Sequence, residues 1–170
     1  MGSGKILVLV GGILTLVSTF FLAFVHIGGD FYASGIGFLF NIPDIMANGD
    51  TYALTIGTET MVVYIVTIVL IVFLVAGVIQ LIGMINRIVA IIGSIIVLGI
   101  GFVILFVALD IFPDMTPFAL LLIDEAPAPG VWPLHIPMGD VDAGTLSLGT
   151  ITLLASGVLG IIGGILGIED

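Results

Sequence analysis

Cysteine is absent, and positive charge nearly so: two Lys/Arg residues face twelve Asp/Glu in 170 residues, for a formal charge of −10. Without cysteine there is no disulfide, thiol nucleophile, cysteine-ligated zinc or iron–sulfur cluster. Loops facing an oxidising exterior are therefore not covalently stapled. Two cations release too few counterions to hold nucleic acid and form no polybasic anchor for anionic lipid. Charge of either sign is scarce: 8% of residues are charged, against roughly 25% in a soluble domain.

What remains is apolar. Hydrophobic residues make up 60% of the chain and the mean hydropathy is +1.43. They fall into four blocks, each near the roughly 20 residues that span a hydrocarbon core. The expected fold class is an all-α membrane protein. It is a four-transmembrane-helix bundle in one membrane domain, with a small extracytoplasmic cap formed by two loops. The spans are expected at about 6–26, 59–83, 88–109 and 147–168. A short inner turn at about 84–87 joins the second and third, because Gly83-Met84-Ile85-Asn86-Arg87 alone combines a charge with a turn former. The outer loops are expected at about 27–58 and 110–146. The first block is longer than the 7–15-residue core of a signal peptide and ends without a small-residue cleavage pattern, so it reads as a retained helix. Ile6 stands where a myristoylation motif requires Ser or Thr.

Lys5 and Arg87 fall on one side of this layout, and positive residues favour the cytoplasm. The expected location is the cell membrane, multi-pass, with both termini cytoplasmic. Asp30, Asp44, Asp50, Glu59, Asp110, Asp114, Asp124, Glu125, Asp140 and Asp142 then all lie outside. The plain reading of this acidic cap is a solvated, self-repelling surface. The sharper reading is a divalent cation at the outer loops, with Asp114, Asp124, Glu125, Asp140, Asp142 and His135 as candidate ligands, since calcium takes six to eight oxygens. No EF-hand pattern supports it. No other cofactor is implied.

Chemistry inside the membrane is also missing. No ionisable residue sits near the middle of any block, whereas a proton pump or coupled transporter relies on such groups. His26 and His135 match no metal spacing. There is no G-x-S-x-G elbow, and Gly2-Ser3-Gly4-Lys5 lacks the strand and glycine spacing of a phosphate loop. The chain reads as a non-enzyme.

The strongest pattern is one of helix packing. Ser156, Gly160 and Gly164 recur every four residues, as do Gly163 and Gly167, and Gly11, Thr15, Thr19 and Ala23 form a similar stripe in the first block. Small residues at that spacing let backbones approach closely. They serve either to close the four helices within one chain or, on one face of the last helix, to seat a neighbouring subunit. Thr60, Tyr64 and Thr67 give the second span a polar stripe able to bond across the bundle.

The opening Gly4-Lys5-Ile6-Leu7-Val8-Leu9-Val10-Gly11-Gly12-Ile13-Leu14-Thr15-Leu16 resembles the start of uncharacterised small archaeal four-helix membrane proteins. In layout the chain resembles the broad tetraspan group, which includes claudins and tetraspanins. The first loop has neither Trp nor Cys, so the claudin W-GLW-C-C signature is missing, and the second lacks tetraspanin cysteines. No functional residue carries over from either. The expected function is a structural scaffold that packs laterally as a homo-oligomer or with other membrane subunits. The alternatives are a cation-conducting oligomer with an acidic outer vestibule and an accessory subunit of a larger membrane enzyme.

Overall fold

The computed structural model describes residues 2–125 and 131–167. In chain order the elements are α1 (Ser3–Phe20), β1 (Val25–Gly28), β2 (Phe31–Ala33), α2 (Gly35–Ile56), α3 (Thr60–Ile82) and α4 (Arg87–Ala108). A 3₁₀ helix (Pro113–Leu121), β3 (Ile123–Glu125), β4 (Pro137–Val141), β5 (Gly144–Ser147) and α5 (Leu148–Leu166) follow. Four helices, α1, α3, α4 and α5, are long and apolar enough to cross a membrane.

These four form a ring in the order α1–α5–α4–α3, with α1 and α4 on the diagonal. α3 and α4 are joined by the tight turn at Gly83–Asn86. The Asn86 side chain caps α4 by accepting from the Ile88 amide at 2.9 Å, and a Cβ on Gly83 would lie 2.4 Å from Ala90 Cα. The bundle is apolar outward: Ile65, Ile68, Ile92, Ile95 and Ile165 are each at least half exposed. Polar side chains point inward. That is the reverse of a water-soluble bundle and suits a surrounding solvent of hydrocarbon.

The helical bundle is there as expected, but the cap is not made of loops alone: it carries a five-stranded antiparallel sheet in the order β3-β2-β1-β5-β4. Both connections contribute to it. The β1–β2 hairpin of the first is flanked by β3 on one side and by the β5–β4 hairpin of the second on the other. Backbone groups lifted out of the helices need partners, and the two connections supply them to each other. The first helix is consequently shorter than the expected 6–26. It stops at Phe20, because the Ala23 amide bonds Leu134, the Phe24 amide bonds Ala33, and Val25 and His26 pair with β2 and β5.

The first connection also holds a helix where a loop was expected. Ser34 starts α2 by accepting from the Gly37 amide at 2.9 Å, and Gly57 ends it at φ 81°, a left-handed conformation natural to glycine. Pro43 removes one helical hydrogen bond, and the helix kinks at Asn48 (φ −125°), whose side chain donates to Asp44 at 2.6 Å. One face, Phe38, Ile45, Gly49 and Ala53, is buried. Along it α2 lies on α3, with the Tyr64 ring over Gly49. The sequence leaves the apolar run Ile36-Gly37-Phe38-Leu39-Phe40, too short to span, open as a buried strand, a short interfacial helix or a partner contact; it forms the start of this helix, packed beside the sheet.

Candidate functional site

One polar residue from each of the four long helices meets inside the bundle. The Thr15 hydroxyl of α1 donates to Gln80 Oε1 of α3. It also lies 2.9 Å from Ser156 Oγ of α5 and 3.0 Å from its own helix carbonyl at Gly11. Gln80 Nε2 donates to Ser94 Oγ of α4 at 2.8 Å. Ser94 and Ser156 pass their own protons to Ala90 and Leu153 carbonyls, both at 2.6 Å. All four side chains have no exposed surface. At 1.5 Å per residue the cluster lies about 10 Å from the turn end of α4 and about 20 Å from its cap end. Each donor is satisfied, and no group in it is ionisable, so the cluster ties helices together and offers no acid or base.

Glycine makes this convergence possible. A Cβ on Gly160 would fall 2.0 Å from Ser94 Oγ, and one on Gly11 would fall 2.9 Å from the Ser156 carbonyl. Gly163 faces α1 at Gly4 and Val8, while Gly164 faces α4 at Ile91. The several small faces of α5 are therefore used inside the chain, against α1 and α4. Thr19 is buried below Gly35 with an unpartnered hydroxyl. Ala23 is not a helix residue, being tied by hydrogen bonds to Leu134 and Gly149 in the cap. Gly167 lies past the end of α5 at φ 89°. The polar stripe of α3 does not bond across the bundle. Thr60 donates to Asp50 of α2, Thr67 returns to the Val63 carbonyl, and Tyr64 covers Gly49.

The cap gathers a second cluster. His26 of β1 stands opposite Tyr32 of β2, their rings stacked at 4.7 Å, and His135 closes the triangle at 5.0 Å from His26 and 5.8 Å from Tyr32. His26 Nε2 is 3.1 Å from the Gly29 carbonyl. His135 Nδ1 is buried without a partner. Burial first, and repulsion from His26 second, hold the His135 pKa below the ordinary histidine value. The candidate cation ligands are dispersed. Asp124 lies on β3 and Asp140 on β4, the opposite edges of the sheet; Asp114 is in the 3₁₀ helix and Asp142 in the β4–β5 turn. Asp140 accepts from Thr145 at 3.3 Å. The Glu125 side chain lies outside the described residues. Among the described residues no three His, Cys, Asp or Glu side chains gather as a metal site would require.

Where α3 and α4 approach the cap they enclose a cavity of about 320 Å³. Val66 and Leu70 of α3, Ile100 and Ile104 of α4, and Phe118 and Leu122 from above form its walls, and its lining is almost entirely hydrocarbon. That volume is at the lower end of small-molecule sites. A separate groove of about 300 Å³ opens on the outward α3–α4 seam around Gly99, between Ile68, Val72 and Ile95.

Sequence reasoning missed the four-helix cluster and the cavity. A single glutamine inside the most apolar block was the available signal for the first. The cavity depends on the roof made by the 3₁₀ helix, which no periodicity announces. Comparison with protein-family models, curated proteins and solved structures finds no match for this chain.

Proposed function

We propose that the chain is a non-catalytic membrane scaffold whose four long helices cross the bilayer and whose outward face seats a neighbouring copy or subunit. The observation that carries this reading is the seam around Gly99. A Cβ there would meet nothing within 4 Å, and the flanking Ile68 and Ile95 are exposed apolar side chains. A small residue in a groove between two ridges lets a partner helix approach closely, with dispersion contact as the gain. The small-residue faces of α5 are already filled by α1 and α4, so the groove that can seat a partner closely is the one on α3 and α4. The conduction reading is less favoured, because Thr15 bonds Gln80 and Ser156, and Ser94 bonds Gln80, all within one bundle. An accessory role in a larger membrane enzyme uses the same surface and differs only in the partner.

The termini and the Gly83–Asn86 turn lie in the cytoplasm in this reading, and the cap outside. Its support is that Lys5 and Arg87 begin α1 and α4 at the end away from the sheet, as the positive-inside tendency favours. The lack of cysteine makes both parts testable with single substitutions. In sealed right-side-out vesicles, Asp30→Cys should react with an impermeant maleimide, and Ile85→Cys only after lysis. Reaction of both from one side would overturn the crossing pattern. Gly99→Cys should cross-link to a neighbour under mild oxidation in native membranes, while Ile13→Cys on α1 should not. A Gly99→Cys protein that runs only as a monomer, with no partner recovered on gentle extraction, would remove the scaffold reading.

A further inference from the structure

We propose that the cavity beneath the cap holds one hydrocarbon chain of an outer-leaflet lipid whose headgroup is zwitterionic and carries an ammonium cation. This rests on the orientation just given, with the cap outside.

The chain follows from the walls. Water is a poor occupant, because a buried water needs two to four polar partners and this lining supplies almost none. An unfilled void forfeits the dispersion contacts of every wall atom. The mouth is bordered by Val103 of α4, Met115 of the 3₁₀ helix and Ile27 of β1, each about two-fifths exposed. Placed at the cap end of α4, that mouth faces the outer half of the bilayer, where alkyl chains are the solvent. The roof then makes the difference between this cavity and the open belt. A chain on the belt touches protein on one side only, whereas a chain here is enclosed by α3, α4, the 3₁₀ helix and the sheet.

The headgroup follows from the rim. Three residues that line the cavity, Ala108, Met115 and Ala143, stand one or two positions from Asp110, Asp114 and Asp142. The Ala143 amide bonds the Ala108 carbonyl at 3.1 Å, bringing two of these segments side by side. Asp110 sits at φ 50°, an uncommon conformation for a residue with a side chain, and accepts from Thr116 at 3.0 Å. All three aspartates are exposed. Both cations of the chain, Lys5 and Arg87, begin helices at the far end. A lipid whose tail enters the cavity must therefore set its headgroup beside carboxylates, with no lysine or arginine of this chain nearby. Headgroups bearing an ammonium cation are attracted there and net-anionic ones repelled, and salt weakens both effects.

The test uses the full chain in bilayer nanodiscs doped with a trace of phosphatidylcholine bearing a diazirine at its chain end. Cross-links are mapped by mass spectrometry after illumination. Met115 and Phe118 should be labelled about fivefold more than the belt residues Ile13 and Ile162, corresponding to roughly 1 kcal/mol of preference. A phosphatidylglycerol carrying the same photoprobe should lose most of that excess. The Asp110→Asn, Asp114→Asn, Asp142→Asn triple variant should label equally with both lipids. Ala119→Phe fills the cavity and should bring Phe118 labelling down to the belt level. Ala143→Leu narrows it from the sheet side and serves where Ala119→Phe does not fold. Cavity residues labelled no more than the belt, or an excess that survives filling, would overturn the proposal and leave the membrane reading intact. An absence of label from the helix belt altogether would overturn both.

Discussion

Gln80 Nε2 donates to Ser94 Oγ across 2.8 Å, while its Oε1 accepts from Thr15, so one side chain of α3 holds both α4 and α1. All three side chains are fully buried, so water cannot compete for this link. Interhelical hydrogen bonds in membranes nevertheless average only about 0.6 kcal/mol, because alternative partners exist there too. Here the alternatives are visible. Thr15 lies 3.0 Å from the Gly11 carbonyl, and Ser94 already donates to Ala90.

Gln80→Leu should therefore lower stability by only about 1 kcal/mol, since it keeps the volume and leaves each hydroxyl a carbonyl on its own helix. Gln80→Ala removes the same bonds and also opens a void, and should cost about 2 kcal/mol or more. Unfolding in mixed micelles with rising dodecyl sulfate measures both. Equal losses would mean that the bonds outweigh the packing.

The glycines divide into two kinds that one assay separates. Gly11→Val places bulk 2.9 Å from the Ser156 carbonyl, which is backbone and cannot swing aside. Overpacking of this sort costs about 1–3 kcal/mol. Gly99→Ala meets nothing within 4 Å and should be neutral or stabilising by up to about 1 kcal/mol through helix propensity. The same micelle unfolding assay reports the difference. A Gly99→Ala protein as damaged as Gly11→Val would show that the seam around Gly99 is already filled within the chain.

Legibility in the sequence followed the strength of each local signal. The four long helices were readable because an uninterrupted apolar run has one physical outcome in lipid, and the turn before Arg87 was marked by its Gly and Asn. The small-residue stripe from Gly11 to Thr15 and from Ser156 to Gly164 was readable as packing. Which neighbour each face meets was not, since that depends on the order of helices around the ring. The sheet was hidden because its strands are only three to five residues long and its two hairpins meet only where β1 pairs with β5, from opposite ends of the chain. His26 and Thr145 carry no local mark of facing each other. Pro43 and Asn48 disguised α2 as a loop, being residues that ordinarily end helices. Of the functional features, the acidic character of the cap was plain, but the cavity required the roof, and the roof is a tertiary product.

Tyr52 titrates late for reasons that belong to the cap. Partial burial, its 2.8 Å donation to Asp44 and the nearby negative charges of Asp44 and Asp124 push its pKa up to about 12. The folded state thus keeps a proton that the unfolded chain releases near pH 10. The resulting stability is complete below about pH 10 and is lost as the pH rises through the folded value. An absorbance titration of phenolate should show a late step from Tyr52. Tyr52→Phe should remove that step alone, and Asp44→Asn should bring it earlier. A late step that persists in Tyr52→Phe would assign it elsewhere.

His135 predicts the opposite direction in acid. Its pKa is held low by burial and then by His26, so at pH values below about 6.5 an unfolded chain takes up a proton that the folded cap resists. The contribution of His135 to stability is complete above that pH and is lost as the pH falls through the depressed folded value. Trp132 reports on this region, because its indole donates to the Phe20 carbonyl at 3.0 Å, where α1 meets the cap. The denaturant midpoint followed by its fluorescence should fall between about pH 7 and pH 5.5, a window chosen above the usual carboxylate range. His135→Asn should flatten that slope. His26→Gln should flatten it only in part, because burial is the larger cause and survives the loss of the neighbouring imidazole. A slope unchanged in His135→Asn would place the acid sensitivity of the cap in another group.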